Sequence, residues 1–109
     1  LVGSEMCIRD RIQKYAESFG FGVVRDLVGH GIGSHLHEDP EIPNFARKRK
    51  GILLQPGMTL AIEPMITEGS YEVVWLDDDW TVMTEDGGWA AHYENTILIT
   101  EGEPEILSL

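Results

Sequence analysis

From residue 58 onward the chain is a succession of strand-like runs with only short turns between them. The runs cover residues 58–66, 71–76, 80–84, 89–100 and 105–107, separated by Glu68-Gly69-Ser70, Asp77-Asp78-Asp79, residues 85–88 and residues 101–104. A parallel connection needs about a dozen residues or more, so strands this close in sequence are antiparallel neighbours. Ahead of them, Ile12, Tyr15, Ala16 and Phe19 recur at the spacing of one helical face, and Gly20 is a natural stop. Residues 21–28 are bulky and β-branched, whereas residues 34–51, with Pro40, Pro43 and Arg47-Lys48-Arg49-Lys50, read as a long surface loop. The expected class is α+β, mostly antiparallel sheet with a flanking helix, and 109 residues make one modest domain.

Charge narrows the partners. Eight Lys and Arg against 19 Asp and Glu leave a net charge of −11, so no positive field attracts phosphates and direct nucleic-acid binding is not expected. The apolar runs are too short for a membrane span, and the single cysteine, Cys7, cannot close an internal disulfide, which makes a reducing cytoplasm the expected compartment. No basic segment followed by a sustained apolar one opens the chain. It begins with Leu1 rather than Met, as a fragment would.

Several residues do not suit their surroundings. Glu63 lies within Leu60-Ala61-Ile62-Glu63-Pro64-Met65-Ile66, where apolar side chains on both parities point to a strand covered on both faces. Glu94 is placed likewise within residues 89–99. Burying an ionised carboxylate costs several kcal/mol unless a cation, a hydrogen-bond network or a proton offsets it. Either glutamate could instead face solvent at a sheet edge. Taken together with His30, set in Gly29-His30-Gly31-Ile32-Gly33, they form an imidazole-and-carboxylate set suited to Mn, Fe, Co or Zn dications. The three glycines require a bend or a close backbone approach rather than a regular strand. Their spacing is not that of a dinucleotide-binding turn, and no phosphate-loop lysine follows.

His35 and His37 flank Leu36 ahead of Glu38-Asp39-Pro40. They are either part of a polar loop or, for one of them, a proton donor beside the metal. The helical zinc motif His-Glu-x-x-His is absent. Asp77-Asp78-Asp79 reads as a solvated turn, residues 47–50 as surface charge, and Trp80 as either core or the wall of an apolar pocket.

Taken in order, Gly29-His30-Gly31-Ile32-Gly33, His37-Glu38-Asp39-Pro40, Pro56-Gly57-Met58-Thr59, Ile62-Glu63-Pro64-Met65 and Tyr93-Glu94-Asn95-Thr96 resemble the C-terminal half of the type I methionine aminopeptidases. The resemblance spans residues 12–109 and implies one half of the pita-bread (creatinase/aminopeptidase) fold. It implies an enzyme that removes the initiator methionine from new proteins with two divalent metal ions, Co, Mn, Fe or Zn. By position His30, Glu63 and Glu94 would be metal ligands, Glu94 bridging both ions. A water held between the ions would attack the scissile carbonyl, with Glu63 as proton shuttle. His37 would contact substrate near that carbonyl, and Leu36 and Trp80 would line the methionine pocket, where an apolar slot rewards an unbranched thioether. The implied partner is a peptide or nascent protein N-terminus close to the ribosome, and the complete enzyme would be a monomer.

Two departures accompany the resemblance. The family's remaining metal ligands are aspartates of an N-terminal half for which this chain has no counterpart, so the chain alone is expected to be inactive and to expose a broad apolar surface. Residues 1–11 match nothing expected of the family ahead of this helix and read as foreign or misassembled sequence, or else as a divergent helix start. Two other readings stay open. Proline-directed peptidases of the prolidase and aminopeptidase P kind share the fold but place glycine after Glu-Pro, where this chain has Met65. Non-catalytic pita-bread binding modules usually lose ligands that this chain keeps.

Overall fold

A computed structural model describes residues 3–109. Helix α1 spans Glu5–Ser18 and is followed by ten short strands: β1 (Gly22–Val23), β2 (Gly29–Ile32), β3 (Glu38–Ile42), β4 (Thr59–Ile62), β5 (Met65–Thr67), β6 (Val73–Trp75), β7 (Val82–Thr84), β8 (Ala90–His92), β9 (Asn95–Leu98) and β10 (Glu105–Ile106). The strands form a five-stranded sheet, β10-β9-β4-β2-β3, a three-stranded sheet, β1-β5-β8, and the hairpin β6-β7. Every pairing between these strands is antiparallel, but only the separators 77–79 and 101–104 join strands that pair with each other, β6 with β7 and β9 with β10; the runs 58–66 and 89–100 pair with each other across the β6-β7 hairpin. The fold is α+β. Among the described residues no helix is long and apolar enough to cross a membrane.

The helix begins earlier than the apolar periodicity predicts, and its face is less apolar. It starts at Glu5, and the turns before Ile12 are anchored by the buried polar side chains of Glu5 and Arg9 together with Ile8, which packs on the core. Arg9 pairs with Glu5 and donates to the main-chain carbonyls of Arg47 and Arg49 at 3.1 and 2.9 Å. Of the expected face, Ala16 is buried, but Tyr15 and Phe19 are exposed and pack edge to face on each other. Helix termination follows the sequence: Gly20 adopts φ +83°, its N–H donates to Glu17, and the N–H of Phe21 returns to Ala16.

The core lies on one face of the five-stranded sheet. Ile42, Leu54, Leu60 and Ile99 form it, with Ile8 of α1 and Met58, Ile62 and Ile97 packed against them. Each fully buried aliphatic side chain of this kind contributes about 1.5–3 kcal/mol. In the central strand β4 both Leu60 and Ala61 are fully buried, so both faces are covered there.

Three expectations need correction. Residues 38–42 form an edge strand rather than a loop; Pro40 is tolerated because an edge strand leaves one row of hydrogen-bonding groups unpaired. The segment 29–32 is a strand despite its glycines. A Cβ at Gly29 would collide with the Ala61 carbonyl and one at Gly31 with the Asp39 carbonyl, so glycine here permits a close strand approach rather than a bend. The runs 58–66 and 89–100 are each broken into two strands, at residues 63–64 and 93–94. Pro64, lacking an N–H, accounts for the first break, and the second lies directly across from it.

Outside the core the chain leaves much apolar surface in solvent, as expected. Trp75, Trp80, Met83, Trp89 and Tyr93 are all exposed. Asp77-Asp78-Asp79 is the solvated turn its composition predicts. Asp78 accepts from the N–H groups of Trp80 and Thr81, and its hydrogen bonds to Thr81 hold its carboxyl below the ordinary value. Asp86 is held low in the same way by the N–H groups of Gly88 and Ser70.

Candidate metal centre

The strand breaks bring the misplaced acids together. Strands β4 and β9 pair as far as Ile62 opposite Asn95, and β5 and β8 resume with Met65 opposite His92 in the same register. Glu63 therefore stands directly across from Glu94. Two like charges facing each other across an antiparallel pair destabilise it, which calls for a neutralising group between them. His30 arrives from the other side of β4, where it is paired with Ala61, two residues before Glu63 and so on the same face of the strand.

One potential ligand atom each from His30, Glu63 and Glu94 lies within 4.8 Å of the others. The Nε2 of His30 is 3.3 Å from Oε1 of Glu63. Two donors each about 2.1 Å from one ion at the tetrahedral angle lie about 3.4 Å apart, so this separation is that of neighbouring ligands. The imidazole is also oriented for the task. Nδ1 of His30 lies 2.9 Å from the Gly31 carbonyl, to which only a protonated Nδ1 can donate, leaving the Nε2 lone pair facing Glu63. The donor set fits a divalent cation of the N/O-binding kind.

Burial differs from the sequence expectation. The Glu63 and His30 side chains are each 14% exposed, so Glu63 is largely withdrawn from water. Glu94 is exposed, because strand β8 beside it forms the uncovered edge of the three-stranded sheet. The charge conflict thus arises from register more than from depth.

The remaining predicted residues divide. The rings of His37 and His30 lie 4.2 Å apart, so His37 is the member of the His35/His37 pair brought to the centre. His35 belongs to the polar loop, 3.4 Å from Glu38. Leu36 and Trp80 are 69% and 86% exposed; Trp80 is not core, and neither side chain is enclosed in an apolar slot within this chain.

Two neighbours of the centre escaped the sequence reading. His92 places Nε2 3.3 Å from Oε2 of Glu63. The signal was present in its position two residues before Glu94, which puts both on one face of a strand. Asn44 is fully buried and its amide lies 3.4 Å from the Glu63 carbonyl, a long-range contact without a local sequence signature.

Comparison with known proteins gives a consistent picture. Residues 7–101 match the model of metallopeptidase family M24. The chain is 59% identical over 102 residues to a methionine aminopeptidase of Clostridium acetobutylicum, covering 94% of this chain and 41% of that protein. Among solved structures it is similar to the methionine aminopeptidase of Thermotoga maritima, with a TM-score of 0.93 and 51% identity over 98% of this chain and 43% of that one. It is also similar to that of Rickettsia prowazekii, with a TM-score of 0.94 and 40% identity over 99% of this chain and 44% of that one. The chain thus spans well under half the length of these relatives, with the α+β architecture expected of one half of a pita-bread fold.

Proposed function

This chain belongs to metallopeptidase family M24, and from that premise we propose that it supplies one side of an aminopeptidase site that removes N-terminal methionine from peptides and new proteins. The observation that carries the reading is the convergence of His30, on strand β2, with Glu63 and Glu94, at the two facing strand breaks. In this reading the three would hold divalent metal. Such ions, when bound, supply Lewis acidity and lower the pKa of water.

The chain's own residues do the rest. Glu63, with one oxygen turned to His30, accepts a proton from the water that adds to the scissile carbonyl and passes it to the amine nitrogen as the C–N bond breaks. His37, beside His30, contacts the substrate near its scissile carbonyl. Leu36 and Trp80, open to solvent here, offer apolar faces to the methionine side chain once a facing surface encloses them. The working compartment is a reducing cytoplasm, consistent with the exposed free thiol of Cys7.

A chimera tests this. The portion of the Thermotoga maritima enzyme not matched by this chain, joined to residues 12–109, is expected to cleave Met-Ala peptides and to leave Xaa-Pro peptides intact. Exclusive Xaa-Pro cleavage would assign the site to a proline-directed peptidase. A folded chimera that binds neither Mn²⁺ nor Co²⁺ by calorimetry would favour a non-catalytic binding module.

A further inference from the structure

Glu63 is approached at both carboxylate oxygens. Oε1 faces His30 and Oε2 faces His92, each at 3.3 Å. His92 does not join the cluster of His30, Glu63 and Glu94, although its ring reaches the same carboxylate. We propose that His92 is a positioning residue: its Nε2–H engages Oε2 of Glu63 and fixes the carboxylate so that Oε1 stays turned toward His30 and Glu94.

The backbone supports this role. His92 ends β8 and is paired with Met65, the first residue of β5 and two residues beyond Glu63. The imidazole therefore stands at a set height beside the carboxylate, on the face that Glu63 and Glu94 share. A glutamate side chain has three rotatable bonds, and His30, whose Nε2 lone pair faces Oε1, supplies no donor to hold the carboxylate in place. A donor on the second oxygen removes the remaining carboxylate rotation before any ion arrives, as outer partners do for metal-binding carboxylates. The separation is slightly longer than an ordinary N–H···O bond, as is common before a site is loaded. A charged imidazole is not needed, since the neutral tautomer with hydrogen on Nε2 donates equally. The contact differs from an incidental surface pair because the carboxylate it restrains is 14% exposed, while His92 itself is 46% exposed and can be replaced without opening the core.

The inference rests on the proposed reading of the metal centre, and the test separates the two. Mn²⁺ binding to the 109-residue chain is measured by calorimetry for the unaltered protein and for H92L, H92Q, E63Q and the double variant E63Q/H92L. H92L, which lacks a donor, is expected to weaken Mn²⁺ about tenfold. H92Q, whose amide can still donate to Oε2, is expected to restore affinity to within about threefold of the unaltered chain. In the E63Q background H92L should cause no further loss. Equal affinity of H92L and the unaltered chain, or an H92Q variant as weak as H92L, would overturn the positioning role while leaving the centre intact. Absence of saturable Mn²⁺ binding to the unaltered chain, or binding indifferent to E63Q, would overturn the centre itself and this role with it.

Discussion

Purified by itself, the 109-residue chain is expected to hydrolyse Met-Gly-Met at least about 10³-fold more slowly than the chimera that restores the remainder of a relative. Loss of a single preorganised transition-state contact already costs an enzyme about 10²–10³ in rate. This chain presents several such deficits together. Glu94 stands in solvent at an uncovered sheet edge, and Leu36 and Trp80 are too exposed to hold a methionine side chain in one pose. The three converging donors are fewer than two ions require, whereas the relatives are more than twice as long. Appreciable turnover by the isolated chain, lost in E63Q, would contradict the proposal that its site needs a second wall.

Glu94→Gln in the chimera is expected to reduce bound Mn²⁺ from two ions to at most one and to lower kcat/KM by at least about 100-fold. Glutamine preserves length and shape but removes the negative charge and one of the two anionic oxygens that a bridging position requires. The loss should exceed that for an outer partner, which is about 10- to 100-fold in affinity or activity. The register makes the substitution informative. Glu63 and Glu94 face each other across one ladder, so removing the charge relieves their repulsion and is expected to leave the melting temperature unchanged or raised. Metal loss with stability retained separates a binding role from a structural one. Retention of two ions would remove the bridging assignment.

Much of the architecture was legible in the sequence because it rests on local chemistry. The short polar separators 77–79 and 101–104 join antiparallel neighbours, whereas 68–70 and 85–88 do not, because β4 and β5 pair across the intervening hairpin with β9 and β8; Gly20 ends the helix at a positive φ. The failures were non-local. The segment 38–42 resembles a loop in isolation and becomes a strand only because β2 is available beside it. The glycines around His30 make sense only once the Ala61 and Asp39 carbonyls are seen to press on them. Residues 5–10 lack an apolar stripe, since Arg9 is buried by main-chain carbonyls about 40 residues away in sequence.

For the site, residue chemistry identified His30, Glu63 and Glu94 through their poor fit to apolar strands, and the fold brings these three together. The supposed cause was incomplete. Burial was expected to force a cation on both acids, yet Glu94 is exposed, and it is their opposition across the ladder that creates the conflict. Pro64 announced the first strand break; nothing local announced the second, which follows from pairing with it. His92 carries no signal of its own in the sequence, because a histidine at a strand end has no special meaning until the carboxylate beside it is placed.

The most direct measurement is anomalous X-ray scattering at the manganese edge from crystals of the chain grown with Mn²⁺. A peak in coordination contact with Nε2 of His30 and the carboxylates of Glu63 and Glu94 is the expected result. A folded chain whose manganese lies elsewhere, or whose two glutamates remain bare at saturating Mn²⁺, would contradict the assignment.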